Sequence, residues 1–371
     1  MKKIVLKRDS ALVVTGPSPA WKTGEETGYF LPLVQNSEIS LSIDRQTSKQ
    51  VGFQQYAVDD IVRSPNVSFN MTYLFSPYML NEYLIGISGE NVGVSKIVNS
   101  QLNRDQNFYL LVDNDVGSDI LHQFSQSPPR TNFSGMNCIS MGNCFLTNYS
   151  VGFQVGSLPT ASVSFEGSNL KMDALTGQQI TIPSINLASG NASGAGLLKL
   201  TGLKDSFTGY VNSVFDTTPN VYNMPVVSPQ NVDVILENLQ VGGYPLVSGA
   251  LIQSLDISIP FERTSLYGLG SNYVYGRKLQ LPLRATVNLS AIVEDFNSGD
   301  SSRLHVAEEK YDFQIKFSDQ KRTTSGAFNF HDARVNSLSY SLDINGNMQF
   351  SASYSIEITS STGLTILSPT K

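Results

Sequence analysis

The architecture of the chain follows from the stretch Val34-Gln35-Asn36-Ser37-Glu38-Ile39-Ser40-Leu41-Ser42-Ile43-Asp44-Arg45, because a second version of this stretch occurs later. The second version is Ile252-Gln253-Ser254-Leu255-Asp256-Ile257-Ser258-Ile259-Pro260-Phe261-Glu262-Arg263, so position 34 corresponds to position 252, an offset of 218. Apolar and polar residues alternate through both stretches, which is the period of a β-strand with one buried face. The offset of 218 is kept where residues 67–72 align with residues 285–290. The sequence therefore predicts an all-β chain built from a duplicated module.

The duplication also sets the predicted domain boundaries. Residues 146–155 match residues 335–344 at an offset of 189, so the first module carries 218 minus 189, or 29, extra residues. An insertion of that length fits most easily in surface loops. A repeat this long predicts tandem domains rather than a solenoid, whose units have about 20–50 residues. We predict one domain at residues 1–170 and another at 231–371, with residues 171–230 as a linker or an inserted arm.

Alternation assigns each predicted strand a core face and a polar face. The strands are predicted at residues 38–45, 67–74, 146–155 and 160–166 in the first module, and at 256–263, 285–292, 335–344 and 349–356 in the second. The predicted core face includes Leu41, Ile43 and Tyr340. The opposite face is predicted to comprise Glu38, Ser40, Ser42, Asp44, Ser68, Asn70, Thr72, Asn148, Ser150, Gln154, Ser162, Ser164, Glu166, Asp256, Ser258, Glu262, Asn288, Ser290, Ser339, Ser341, Asp343, Ser351 and Ser353.

This polar face contains carboxylates and hydroxyls but no Lys or Arg. The solvent face of a sheet ordinarily mixes both charge signs, and Lys is common there because it discourages association between sheet edges. One strand of this kind is explained by a hydrophilic, Ser-rich surface. The same bias in eight strands favours a hydrated wall that repels phosphate groups, because it offers them no cationic anchor.

Helical signals are sparse. Residues 76–86 predict a short helix, with Ser76 as N-cap, Pro77 at the first helical position and Gly86 at the end. We expect this helix to pack on a sheet edge. A weaker pattern predicts a helix at residues 301–310.

Composition excludes several functional classes. The 371 residues carry a net charge of −6 at a pI of 5.2, which argues against a conventional nucleic-acid-binding protein. Residues 1–8 lack the apolar run of a signal peptide, and no segment reaches transmembrane length. We therefore expect a soluble chain in the cytoplasm, in which Cys138 and Cys144 are free thiols.

No motif predicts catalysis, a metal or a cofactor. The histidines His122, His305 and His331 lack zinc-site spacing, and no nucleophile elbow or phosphate loop is present. Residues 113–119 fail the calcium loop of an EF-hand, because Gly117 stands where a ligand belongs. We expect no catalytic residue, metal or cofactor.

The order of elements in each module resembles the major tail proteins that form the tail tube of long-tailed bacteriophages. A strand of the type Glu-Ile-Ser-Leu-Ser-Ile-Asp-Arg is followed by a loop, a strand introduced by Pro65 or Pro282, and a short helix. A strand at residues 108–112 or 313–317 comes next, and a long hairpin closes the module. The hairpin at residues 142–167 is especially similar to that of the family.

The resemblance implies tandem β-sandwich domains whose inner sheets join across subunits into a large barrel around a channel. Rings of single-domain tube subunits are usually hexamers, so two domains per chain imply a trimer with pseudo-sixfold symmetry. Four inner strands in each of six domains give a barrel of about 24 strands with an open lumen. The polar face would line this lumen and let DNA pass without binding. Residues 171–230 are then a linker, an extra hairpin or an arm that reaches the next ring.

The resemblance also implies partners and a location. We expect the chain to bind copies of itself and other tail proteins, namely tape measure, terminator, baseplate or distal tail proteins and a possible sheath. It would be assembled in the bacterial cytoplasm and reside in the virion tail. A tandem β-sandwich adhesin or carbohydrate-binding module is an alternative, although Trp21 is the only tryptophan available for a sugar platform. Baseplate and head–tail joining proteins are further alternatives, because they share or border the tube fold.

Overall fold

The computed structural model of the chain describes most of both modules. The described residues are 10–15, 25–26, 28–49, 51–52, 56–61, 65–88, 94–98, 105–113, 119–125, 132–184, 197–203, 224–235, 240–241, 244–245, 250–269, 273–274, 276–293, 310–318, 325–342, 348–359 and 364–370. Several predicted features therefore lie outside the described residues. They are the helix at residues 301–310 except Lys310, the face residue Asp343, His305, and residues 114–118 of the calcium-like segment.

Strands dominate the described residues, as the alternation predicts. In the first module and the segment after it they are β1 (Ser10–Thr15), β2 (Glu25–Glu26), β3 (Gly28–Phe30), β4 (Val34–Ser42), β5 (Arg45–Lys49), β6 (Tyr56–Ile61), β7 (Asn66–Leu74), β8 (Gln106–Asp113), β9 (Met136–Gln154), β10 (Thr160–Gly167), β11 (Asn169–Ala174), β12 (Gln179–Thr181) and β13 (Leu197–Lys199). In the second module they are β14 (Val232–Ile235), β15 (Gln240–Val241), β16 (Tyr244–Pro245), β17 (Ala250–Pro260), β18 (Arg263–Leu266), β19 (Gly276–Leu279), β20 (Leu283–Val293), β21 (Tyr311–Ser318), β22 (Ser325–Leu342), β23 (Met348–Ile358) and β24 (Leu364–Thr370). Short helices are α1 (Leu80–Leu84), α2 (Val94–Val98) and α3 (Ile120–Ser125).

One antiparallel sheet runs through both modules. Its inner strands have the order β22-β23-β20-β17-β9-β10-β7-β4, so each module contributes four neighbouring strands. The two sets are joined where β17 of the second module pairs with β9 of the first. The row of inner strands is open in the single chain, with β4 at one end and the second half of β22 at the other.

The long strands β9 and β22 turn each module into two layers. The first half of β9 pairs with β8 and β11, whereas its second half pairs with β10 and β17. The first half of β22 likewise pairs with β21 and β24, and its second half pairs with β23. Asn143 (φ 54°) and Asp332 (φ 58°) hold left-handed backbone at equivalent points of the two modules. Their backbone N–H groups donate to Asn107 Oδ1 (3.2 Å) and Asp312 Oδ1 (2.9 Å).

Aromatic side chains fill the space between the two layers. The ring of Phe108 on β8 lies 4.8 Å from that of Phe69 and 4.6 Å from that of Phe165, centroid to centroid. In the second module the ring of Phe313 on β21 lies 5.5 Å from that of Tyr354 on β23. The outer strands thus cover the apolar face of the inner sheet in both modules, and the polar face remains uncovered over most of its area.

Part of the segment 171–230 also forms strands. Strand β11 pairs along the first half of β9, and β12 pairs with β13, which runs parallel to β2. Farther along, Val227 N–H donates to Phe75 O at 2.9 Å.

The predicted helix at residues 76–86 is shorter than expected. Helix α1 begins at Leu80, because Met79 at its N-terminus has left-handed backbone with φ of 50°. The expected position at a sheet edge is also wrong. Glu82 of α1 contacts Tyr73 and Tyr149, which project from the core face of the sheet, so the helix lies over that face.

Candidate assembly surface

Strand register aligns the predicted polar residues into rows that cross both modules. One row runs Thr72, Ser162, Ser150, Ser258 and Thr286, each directly opposite the next across five strands. Directly opposite residues of an antiparallel pair lie on the same face. Every predicted face residue within the described part of the chain is exposed or half-buried, so the rows form one wide polar surface.

The polar surface differs from the prediction at the ends of several inner strands. Arg284 and Arg334 stand on the polar face, opposite Glu357 and Ser355, so the predicted absence of basic residues is wrong there. The strands extend farther than the sequence pattern indicated, and the extensions carry these arginines. Asp44 and Glu262 lie beyond the ends of β4 and β17. Glu166 does not stand free, because it forms an ion pair with the buried Arg277.

The pairing of β9 with β17 shows how the four inner strands of one module join those of the other. Phe261 N–H donates to Thr147 O (2.8 Å), and Val155 N–H donates to Gln253 O (2.9 Å). The apolar side chains along the pair are almost completely excluded from water, with exposures of 0% for Ile259 and Phe261. The junction is therefore a continuation of the core rather than a contact between finished domains.

The register of the strands repeats from module to module. Strand β4 has an irregularity at residues 34–36 against β7, and β17 has one at residues 252–254 against β20. Strand β9 skips Thr147 opposite β10, and β22 skips Asn336 opposite β23. The irregularities in β4 and β17 are related by the offset of 218, and the skipped residues in β9 and β22 by the offset of 189, as in the sequence repeat. Strand β4 is therefore the structural equivalent of β17, and β22 is the equivalent of β9.

The two ends of the sheet are thus equivalent to the two strands that meet at its centre. In the described part of the chain, β4 pairs only with β7, and the second half of β22 pairs only with β23. Leu41, Ile43 and Tyr340, which the sequence placed in the core, are 46%, 42% and 49% exposed. Their equivalents at the central junction, Ile259, Phe261 and Val151, are 0%, 0% and 1% exposed. The prediction is wrong for the single chain because no strand within the described ranges covers these edges.

Two arginines of hairpin β18–β19 bind residues of the first module across the central junction. Arg263 Nε donates to Leu146 O at 3.0 Å, and its guanidinium carbon lies 5.2 Å from the ring centroid of Phe145. Burial, followed by the charge of Arg277, lowers the pKa of Arg263 to about 10. Arg277 is 3% exposed, donates from Nη2 to Gly167 O (3.1 Å) and pairs through Nη1 with Glu166. The sequence pattern gave no sign of Arg277, because its partners lie far away along the chain.

A buried carboxyl lies beneath the polar face. Tyr73 Oη and Tyr149 Oη donate to Glu82 Oε1 at 2.7 Å and 3.2 Å, and all three groups are removed from water. Burial raises the pKa of Glu82 to about 7, although both tyrosine hydrogen bonds act in the opposite direction. The pKa values of Tyr73 and Tyr149 are raised by the same burial and by the charge of Glu82.

The remaining features concern the two cysteines, metal binding and membrane spans. Cys138 and Cys144 are free and buried, and burial raises the pKa of Cys138 to about 12 and that of Cys144 further. No group of three or more His, Cys, Asp or Glu residues is arranged for a metal ion within the described ranges. Among those residues, no helix has both the length and the apolar character needed to cross a membrane.

No protein-family model matches the chain, and no curated protein matches it. It is similar to a chain in the 6-fold symmetrised cryo-EM structure of the anti-feeding prophage baseplate, with 8% identity and a TM-score of 0.30 over 47% of this chain and 98% of that one. It is also similar to a chain in the virion of a native gene transfer agent particle, with 16% identity and a TM-score of 0.26 over 38% and 97%. A chain from the tail of an empty gene transfer agent particle, refined with C6 symmetry, gives 16% identity and a TM-score of 0.25 over the same shares.

Proposed function

We propose that this chain is a structural protein of a phage tail, in which copies join through their sheet edges into closed rings that stack into the tail tube. The equivalence of the open edges β4 and β22 with the paired strands β17 and β9 carries this proposal. Each chain has one edge of each type, so β4 of one copy meets β22 of the next in a head-to-tail contact. Such contacts close into a ring when the rotation between copies permits it.

The register of the proposed contact follows from the central junction. Ser258 lies opposite Ser150 there, so Ser40 of one copy is expected opposite Ser339 of the next. Leu41 would then take the place of Ile259, opposite Leu338 in the place of Tyr149. The contact would remove the exposed apolar side chains at the edges from water. Full burial of such a side chain contributes about 1.5–3 kcal/mol, and because these are already about half buried, the contact would add roughly half of that for each.

Three chains with eight inner strands each would form a barrel of about 24 strands. The outer strands and α1 already cover the apolar face, so the polar face is the one available to line the lumen. A wall rich in hydroxyls and carboxylates stays hydrated and repels the phosphates of a passing DNA molecule. The role is structural, with no catalytic step, and the stacked rings would bind other tail proteins at their ends.

Electron microscopy of the purified protein, with its mass measured in solution, tests the proposal. Rings or tubes with a central hole and a mass of three chains are expected. A chain that stays monomeric at every concentration would instead favour the binding-module alternative.

Disulfide trapping tests the register itself. Cβ atoms of directly opposite residues are about 4.5–5.5 Å apart, which allows a disulfide after slight adjustment. A chain with Ser40→Cys and Ser339→Cys should form covalent trimers on oxidation, whereas the shifted pair Ser40→Cys and Ser341→Cys should not. The native thiols are buried and should not compete. Equal trapping by both pairs would refute the register.

A further inference from the structure

The two modules carry equivalent hairpins beside their first inner strands. Arg263 lies opposite Leu279 in β18–β19, and Arg45 lies opposite Ile61 in β5–β6. Both pairs are related by the offset of 218, and all four residue pairs of β18–β19 have equivalents in β5–β6. The position held by Arg277 in β19 is held by Asp59 in β6.

Hairpin β18–β19 fastens the second module to the first. Arg277 Nη2 lies 3.3 Å from Asn66 Oδ1 and 3.1 Å from Gly167 O, and its Nη1 pairs with Glu166. The nearby ring of Phe145 is 6.0 Å from the guanidinium carbon. A cation in the hairpin therefore meets an anion on the first module.

The repeat identifies the residues that surround the equivalent place on the second module. Arg284 is equivalent to Asn66, Arg334 to Phe145, and Ser355 to Glu166. Arg284 and Arg334 are both exposed in the single chain. They are also the only Lys or Arg residues in the eight inner strands as the structure describes them. The second module thus presents two arginines, with Glu357 directly opposite Arg284, at the place where the first module presents Glu166.

We propose that hairpin β5–β6 of one copy closes over Arg284 and Arg334 of the next, as an ion-pairing clamp whose charges are reversed relative to β18–β19. This inference rests on the proposed function, because it places the clamp at the β4–β22 contact between copies. Asp59 replaces Arg277 in the hairpin. On the receiving module, Arg284 and Arg334 replace the neutral Asn66 and Phe145, and the neutral Ser355 replaces Glu166. The clamp accounts for the two basic residues on a face where the inner strands, as far as they are described, carry no other Lys or Arg.

Charge reversal gives each hairpin a single correct partner. Hairpin β18–β19 placed on Arg284 and Arg334 would set Arg277 against like charges, and β5–β6 placed on Glu166 would set Asp59 against a carboxylate. Like-charge contacts disfavour the wrong pairing, and opposite charges favour the right one. The two kinds of junction therefore remain distinct even though their strands are equivalent.

Charge-swap variants test the clamp in the full-length chain. Arg284→Glu and Asp59→Arg are each expected to raise the protein concentration needed for half-maximal ring formation about tenfold. The double variant Asp59→Arg with Arg284→Glu should return it to within about threefold of the unmodified chain. Lys316→Glu, which makes the same reversal on an exposed position of the outer strand β21, is the control and should leave ring formation unchanged.

The outcomes separate the clamp from the proposed function. Rings that form equally well from Arg284→Glu and the unmodified chain would overturn the clamp and leave ring formation established. If both single variants lose ring formation and the double variant does not restore it, Asp59 and Arg284 do not meet. Thermal melting must show that all the variants are folded. An unmodified chain that never assembles would overturn both.

Discussion

Glu82 makes the stability of the fold depend on pH. Its pKa is raised from 4.5 to about 7, so the folded chain holds this proton more tightly than the unfolded chain. The resulting stabilisation is fully present below pH 4.5 and is lost as the pH rises through about 7, a difference of about 3 kcal/mol. We expect Glu82→Gln, which cannot ionise, to lose less stability between pH 5 and pH 8. Urea unfolding at both pH values measures the free energy of unfolding of each chain.

Glu82→Gln is a matched test because the amide oxygen still accepts hydrogen bonds from Tyr73 and Tyr149. The unmodified chain serves as reference at each pH, so changes common to both proteins cancel. Parallel pH dependences in the two proteins would show that Glu82 is not the titrating group.

Asn143 lies at the point where β9 passes from the outer layer to the inner sheet. Its φ of 54° is unfavourable for residues with a Cβ atom, and worst for β-branched ones. We expect Asn143→Val to be less stable than Asn143→Gly by about 1–2 kcal/mol, because glycine adopts this backbone freely. Both variants lose the bond from Asn143 Nδ2 to Asp105, so the loss of that bond cancels in the difference between their denaturant midpoints. Equal midpoints would contradict this account.

A single proline in β4 should prevent a further strand from pairing with the exposed edge of β4. Phe261 N–H faces β9, so alternation along the equivalent strand points the N–H groups of Ile43 and Leu41 away from β7. Proline is tolerated where an N–H faces solvent, but it cannot donate to an added strand. We expect Leu41→Pro to fold as a monomer and to form no rings, as measured by sedimentation and microscopy.

Leu41→Val is the control for this strand, because it keeps both the N–H group and an apolar side chain at the same position. It should form rings nearly as well as the unmodified chain. Rings from Leu41→Pro, or equal loss from both variants, would argue against pairing through this edge.

The local sequence predicts the strands and their two faces but not their neighbours. Alternation is a property of each strand, so residues such as Ser68 and Ser162 could be assigned to the polar face directly. The junction of β9 with β17 joins positions far apart in the chain, and no local pattern encodes that choice. Leu41 and Tyr340 show the same limit, since alternation identifies apolar side chains but not the strand that covers them. The start of α1 was missed because the left-handed backbone of Met79 overrides the signals of Ser76 and Pro77.

The proposed tube is expected to let DNA pass because its polar wall should not bind it. Replacing Ser164, Ser258 and Ser351 with Lys would place three cations per chain on the polar face, in three different strands. We expect rings of this variant to bind double-stranded DNA at least about tenfold more tightly than unmodified rings at low salt, with affinity falling steeply as salt rises. Asn at the same positions adds similar polar bulk without charge and should leave the affinity unchanged. Filter binding over a range of salt concentrations distinguishes the three proteins, and unmodified rings that hold DNA as tightly as the Lys variant would refute a repelling wall.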